Sequence, residues 1–276
     1  MPWVARSQRQ LKTVLCDLDD CLYRSPELPE LVRENIQRYM REKLGVPKDE
    51  VTSLCLSAYS NFGTTMAGLV ATGYQIDVDD WHAHVHHTLP YEIYLKKDDA
   101  LRNLLQRIKL PLYVFTNGDR KHAEICLRLM GITDCFKGVV CYESIMDAAE
   151  GKGYVHHGVP VVCKPSVKAI ELALEQANNA SAESTIFLDD STRNIVAGHQ
   201  KGLTTVLVGR TGMDTGADAE VLNLLDLPTV APDIWKMLTT SKSSDSERSG
   251  APRTTIMKNG SGDTFAADAR VPVLSG

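Results

Sequence analysis

Hydrophobic positions along the chain follow two rhythms. From Leu101 to Val208, short apolar runs ("LPLYVF", "FKGVV", "STIFL", "LTTVLV") alternate with segments whose apolar residues recur every three or four positions ("LRNLLQRI", "KHAEICLRLMG", "SVKAIELALEQAN", "NIVAGHQKG"). The runs read as buried strands and the periodic segments as amphipathic helices. Such alternation implies right-handed crossovers and a parallel sheet covered by helices on both faces. "TVLC", Thr13 to Cys16, adds one more buried strand upstream. The expected fold class is α/β, a doubly wound, Rossmann-like core over residues 13–25 and 98–238.

Between the first strand and that core, residues 26–97 carry the helical rhythm alone. "LPELVRENIQRYMREKLGV" stops at Gly45, and "PKDEVTSLCLSAYSNF" opens with Pro47 and acids in its first turn. "TTMAGLVAT" and "VDDWHAHVHHTL" read as two further helices, so this block is expected to be an all-helical cap. The acids of "DVDD" and "DDALR" read as helix N-terminal acids. Residues 1–12 read as an N-terminal extension, and 147–159, "DAAEGKGYVHHGV", as a loop leading to Cys163. A short helix is expected near Asp233, and the Ser/Thr/Gly-rich tail over 239–276 is expected to be disordered.

Composition narrows the classes of partner. The chain has 276 residues and a formal net charge of -5, which gives no electrostatic reason to expect a nucleic-acid polymer or an anionic membrane surface. No apolar run approaches the roughly 20 residues needed to span a bilayer, and "MPWVARSQRQLK" lacks the apolar region of a signal peptide. A cytoplasmic location is therefore expected. Seven cysteines, odd in number and never spaced as C-x-x-C, point to reduced thiols rather than a disulfide framework or a zinc ribbon.

In doubly wound sheets the ligand sits beyond the carboxyl ends of the strands. The residues there are Asp17 and Asp19 after the first run, Thr116 and Asn117 after "LYVF", and Asp189 and Asp190 after "TIFL", with Lys164 before a Pro-initiated helix. Carboxylates that converge raise one another's pKa unless a cation sits among them. With oxygen donors only, that cation is expected to be Mg²⁺, Mn²⁺ being the alternative. Lys164 and Thr116 suit the remaining oxygens of a phosphate, and Asn117 and Gly118 are expected to open a helix whose N–H groups favour an anion. The set reads as a phosphoryl-transfer site.

"DLDD", "FTNGD", "CKPS" and "FLDDS" resemble, in order, the four motifs of the haloacid dehalogenase superfamily, and the helical block lies where that superfamily carries its cap. The resemblance implies a nucleophile at Asp17, a general acid and base at Asp19, phosphate binding by Thr116, Asn117 and Lys164, and a metal held by Asp17, Asp19 and Asp190, with Asp189 beside it. Asp19 favours phosphatase or phosphomutase chemistry, because dehalogenating members lack that second acid and transport ATPases carry Thr there. Cap and core together resemble the yeast-type pyrimidine 5'-nucleotidases and their plant relatives, which implies a small phosphomonoester substrate, a nucleoside 5'-monophosphate such as UMP or CMP. Sugar phosphates, a phosphomutase, or a binding protein with weak turnover are the alternatives.

Other residues read more plainly. Cys21 stands where many relatives have Thr, and nearby carboxylates would raise its pKa, so a thiolate nucleophile is not expected. Asp20, on the opposite side of an extended chain from Asp17 and Asp19, reads as a bystander. Tyr59, Phe62 and Tyr74 read as helical core. In "HAHVHH", His82 and His86 are four apart on a helix, but a zinc-protease Glu and a third ligand are missing from the motif. These histidines are expected on a solvated or packed face of the cap, away from the carboxylates, while His156 and His157 could reach the pocket mouth.

Overall fold

The computed structural model describes residues 10–154 and 162–240. Its sheet contains β1 (Thr13–Cys16), β2 (Leu112–Phe115), β3 (Gly138–Val140), β4 (Thr185–Asp189), β5 (Thr204–Val208) and β6 (Ala219–Val221). All neighbours pair in parallel, in the order β3-β2-β1-β4-β5-β6. The order reverses at β1 and β4, where Val14 faces Leu112 on one side and Ile186 on the other. β6, whose run "AEV" has too few apolar residues to signal a strand, is an addition to the sequence expectation.

The period of two along each strand sorts side chains into two cores. Val14, Cys16, Ile186, Leu188, Val206 and Val208 join one apolar cluster, whereas Leu15, Phe115 and Phe187 join the cluster on the opposite face. A one-residue slip in register would exchange these sets, so burial fixes the register firmly.

The cap helices are α1 (Glu27–Glu42), α2 (Val51–Phe62), α3 (Thr65–Ala71), α4 (Val78–Val85) and the short α5 (Tyr91–Tyr94). The first four bury a third cluster, including Tyr39, Met40, Val51, Leu69, Trp81 and Val85, with Trp81 edge-on to Tyr39 at 5.0 Å between ring centroids. Leu89, Tyr91 and Leu95 pack instead with the sheet cluster. Asp77 and Asp98 cap their helices through the N–H groups of Asp80 (3.0 Å) and Leu101 (2.8 Å), as the sequence pattern implies.

The core helices are α6 (Asp99–Arg107), α7 (Arg120–Met130), α8 (Tyr142–Gly151), α9 (Val167–Gln176), α10 (Thr192–Lys201), α11 (Leu227–Val230) and α12 (Pro232–Thr239). Two expectations are corrected here. Residues 147–151 complete α8 rather than open a loop, because Ile145 and Ala149 are buried on one helical face. Helix α7 opens at Arg120 rather than at Asn117, and its first N–H groups are taken by carboxylates: Asp119 accepts from His122, and Glu143 from Arg120. That N-terminus is therefore not a free anion site. His156 and His157 lie outside the described residues, as do 1–9 of the N-terminal extension and 241–276 of the tail. Among the described residues no helix is long and apolar enough to cross a membrane.

Cap and core meet tightly at the end of α2. Gly63 has φ of +92°, and a Cβ placed there would lie 2.3 Å from the Lys164 carbonyl oxygen. Arg193, on α10, donates to the Ser60 carbonyl (2.8 Å) and covers the Tyr59 ring at 4.6 Å, while the Cys163 thiol donates to the Phe62 carbonyl (3.2 Å). These donors satisfy carbonyls that the last turn of a helix leaves free.

Candidate active site

The sheet places the four motif segments around one cavity of about 350 Å³, which lies between cap and core and is lined by Asp17, Asp19, Thr116, Asn117, Lys164 and Asp190. Asp17, Asp19, Thr116, Asn117 and Asp190 are delivered by strand ends or the loops after them, and Lys164 by the segment that leads into α9. Hydrophobic burial of the strands, not attraction between acids, brings them together.

Lys164 is the hub. Only 2% exposed, its Nζ lies 2.6 Å from Asp17 Oδ1 and 2.9 Å from Asp189 Oδ2, and it donates to the Phe115 carbonyl at 2.8 Å. Burial disfavours its charge, but Asp17 and Asp189 outweigh that and raise its pKa. Asn117, expected to bind phosphate, uses its side chain on this lysine instead: Oδ1 accepts from Lys164 N–H (2.9 Å) and Nδ2 donates to the Lys164 carbonyl (3.1 Å). Thr116 is buried, and its Oγ1 accepts from Gly118 N–H at 2.9 Å, leaving the hydroxyl proton to donate elsewhere.

Asp17, Asp189 and Asp190 bring carboxylate oxygens within 4.8 Å of one another. Burial lifts the Asp17 pKa well above its ordinary value; Lys164 opposes this, while Asp189, Asp19 and Asp190 reinforce it. Asp190 is raised to about 6, by burial first and Asp189 second. One lysine thus leaves this acid cluster under-compensated, and its oxygen donors fit a hard metal ion. Asp189 is already satisfied, accepting from Lys164, from Ser191 N–H (2.8 Å) and from Asn194 Nδ2 (2.9 Å). Asp190, in contrast, faces the cavity, with Arg210 at 3.6 Å as its ion-pair partner among the described residues.

The side chain of Asp19, expected among the metal ligands, lies outside that cluster. Its Oδ1 accepts from the Tyr23 hydroxyl and lies 2.8 Å from His122 Nε2. Burial acts to raise its pKa, but His122, Tyr23 and His86 outweigh burial and hold it well below the carboxylate range. His122 is lifted well above the imidazole range, its own burial being outweighed by Asp19. Its other nitrogen is 2.7 Å from the Tyr91 hydroxyl. Sequence reasoning missed Tyr23, Tyr91 and His122. The visible signal was positional only: His122 falls one helical turn after "TNG".

Asp20, expected on the far side of an extended chain, instead takes φ of +55° and lines the main cavity as well as a second one that it shares with Arg24 and Arg210. The Cys21 thiol is buried, and burial followed by Asp17 pushes its pKa well up, in line with no thiolate role. Tyr59 is not core but 47% exposed at the cavity, whereas Tyr74 packs against the cap cluster.

The "HAHVHH" segment requires the largest correction. Rather than standing apart from the carboxylates, His82 and His86 line the cavity with Asp19. They surround Asp119, which is 1% exposed: His86 Nδ1 is 2.6 Å and His82 Nδ1 3.3 Å from its Oδ2, and His87 Nε2 is 3.0 Å from its Oδ1. These contacts outweigh burial and hold Asp119 well below the usual carboxylate range, while burial lowers the pKa of His86. His86 in turn lies against His122, with ring centroids 5.0 Å apart. The cap folds its histidines onto the loop after β2, a contact invisible in a motif read alone.

Comparison with known proteins bears on the family and the fold. The family profile for haloacid dehalogenase-like hydrolases matches residues 11–202. Phosphate metabolism protein 8 from Saccharomyces cerevisiae is 29% identical over 208 residues, a stretch covering 71% of this chain and 61% of that protein. Among solved structures, a HAD phosphatase from Thermococcus onnurineus aligns at 19% identity with a TM-score of 0.52, covering 79% of this chain and 96% of that one. The HAD-hydrolase YfnB from Bacillus subtilis, bound to magnesium, aligns at 20% identity with a TM-score of 0.50, covering 80% and 98%. At these identities the structural matches carry the fold alone.

Proposed function

The chain belongs to the haloacid dehalogenase-like hydrolases, and we propose that it is a Mg²⁺-dependent phosphomonoesterase acting on a nucleoside 5'-monophosphate through an aspartyl-phosphate. One observation carries the reading: Asp17, at the end of β1, is held by Lys164 at 2.6 Å in a cavity that also presents Thr116, Asp19 and Asp190. This is a nucleophile, a proton-transfer group, donors for phosphoryl oxygens and a cation site in one place.

In the reaction so assigned, Asp17 attacks phosphorus and its carboxylate oxygen bonds to the phosphoryl group as the ester oxygen leaves. A proton passes from the His122 imidazolium through Asp19 to that oxygen, which leaves His122 neutral and Asp19 ionised. Water then attacks the aspartyl-phosphate, and Asp19, hydrogen-bonded by Tyr23, takes the proton from it and returns it to His122. Inorganic phosphate departs and Asp17 is restored. Lys164 and Thr116 neutralise and orient the phosphoryl oxygens throughout. Asp17 and Asp190, with Asp189 beside them, would hold Mg²⁺, which supplies further charge neutralisation at the phosphoryl group.

The substrate class rests on the likeness of cap and core to pyrimidine 5'-nucleotidases, and on the apolar wall that Val32, Ile36, Met66 and Trp81 give the cavity opposite the acids. A flat base can be buried there while the phosphate faces Lys164. The test is phosphate release from UMP, CMP, AMP and several sugar phosphates, with and without Mg²⁺, for the wild type and Asp17→Asn. Release from UMP or CMP that needs Mg²⁺ and vanishes in Asp17→Asn is expected. Full activity in Asp17→Asn would remove the nucleophile assignment, preference for sugar phosphates would remove the nucleotide, and an isomerised product without free phosphate would make the protein a mutase.

A further inference from the structure

The histidine cluster is larger than phosphoryl transfer requires. We propose that His82, His86 and Asp119 form a second metal site, for a zinc-type first-row divalent ion, that ties the cap to the loop after β2.

The geometry is close to one face of a tetrahedral centre. His82 Nδ1 and His86 Nδ1 are 3.4 Å apart, His82 Nδ1 and Asp119 Oδ2 3.3 Å, and His86 Nδ1 and Asp119 Oδ2 2.6 Å. Ligands bound tetrahedrally at about 2.0–2.1 Å lie roughly 3.3 Å from one another. Two edges already have that length, and the third opens by about 0.7 Å when an ion replaces the proton that His86 and Asp119 share. Two imidazoles and one carboxylate suit zinc rather than Mg²⁺, so this site and the Asp17 cluster differ in the ion they select.

Two further features favour an ion over a hydrogen-bonded cluster. His82 and His86, one helical turn apart, turn both Nδ1 atoms towards the same carboxylate oxygen, an arrangement in which the nitrogens face each other unless a cation lies between them. The His82 side chain is 7% exposed and its Nε2 has no hydrogen-bond partner among the described residues, so the ring's polar contacts all run through Nδ1, the atom that faces Asp119 and His86. Asp119, meanwhile, is firmly aimed. Its Oδ1 accepts from His122 N–H at 3.0 Å and lies 3.0 Å from His87 Nε2, which leaves Oδ2 directed at the other two histidines. Such outer contacts are what orient a ligating carboxylate.

The ligands come from α4 and its C-cap on one side and from the N-cap of α7 on the other. A bound ion would therefore hold the cap shut, beside His122 and Asp19. The inference is independent of the phosphatase reading, because it concerns binding alone.

The test uses the full-length protein stripped with EDTA and reloaded with Zn²⁺ or Co²⁺. In wild type and in Asp17→Asn, one tightly held Zn²⁺ is expected, along with the strong visible bands of four-coordinate Co²⁺. His82→Gln and His86→Gln should each weaken Zn²⁺ binding at least tenfold, the scale on which even outer contacts of metal sites are felt. The proposal falls if Zn²⁺ is lost in Asp17→Asn but kept in both histidine variants, or if wild type shows only weak, six-coordinate Co²⁺ absorption. Circular dichroism checks each variant, and the wild-type Co²⁺ spectrum decides even if neither folds.

Discussion

Replacing Lys164 with Met should destabilise the protein severely as well as silence it. The ammonium is 2% exposed, and its two carboxylate partners, at 2.6 and 2.9 Å, have side chains 9% and 0% exposed. At an effective dielectric constant of about 20, a unit charge pair near 2.8 Å attracts by roughly 6 kcal/mol, and solvation lost on burial offsets much of this. Removing the cation leaves Asp17 and Asp189 buried without it, and breaking a buried pair in this way costs about 3–5 kcal/mol. For a domain of this size each kcal/mol is worth about 2–4 °C, so Tm should fall by roughly 6–20 °C. The assay is urea unfolding followed by circular dichroism and by tryptophan fluorescence, in EDTA so that no metal compensates. Coincident transitions would license the free energies. Lys164→Met combined with Asp189→Asn should lose less than the sum of the two single variants, by at least about 1 kcal/mol, because the double variant leaves one buried carboxylate fewer. A single-variant loss below about 1 kcal/mol, or strict additivity, would refute Lys164 as the charge that makes the acid cluster tolerable.

Other substitutions test neighbouring parts. Gly63→Ala should lower both stability and activity, since its Cβ would collide with the Lys164 carbonyl and φ of +92° is strained for alanine; thermal melts and steady-state turnover read this, and a neutral result would mean the seam is loose. Asn117→Ala removes both hydrogen bonds to the Lys164 backbone and should cost about 1–3 kcal/mol in urea unfolding, with a fall in kcat from a displaced lysine. Phe187→Ala empties a fully buried site beside Phe115 and Lys164 and should cost about 3–5 kcal/mol by the same measurement.

Much of the fold could be read from sequence for a simple reason. Strand and helix declare themselves by the period of their apolar residues, and among the described residues five of the six strands have apolar runs long enough to show it. β6 escaped because its pairing with β5 is backbone hydrogen bonding, with Val221 alone of its three residues buried. Asp17, Asp19, Thr116, Lys164 and Asp190 were visible as polar residues where apolar runs stop, and they line a shared cavity, with Asp189 buried beside it.

Tertiary structure alone decided what these groups touch. That Asn117 serves the Lys164 backbone, that Asp19 turns to Tyr23 and His122, and that Asp190 rather than Asp189 faces the cavity all depend on side chains meeting across 4 to 103 residues of chain. The histidines of "HAHVHH" show the limit most clearly. Helical period places His82 and His86 on one face, but the carboxylate they surround, Asp119, lies more than thirty positions away on another element. Local period can be read one residue at a time; the closure of a cap onto a sheet is a property of surfaces, and it is there that this protein's charges find their partners.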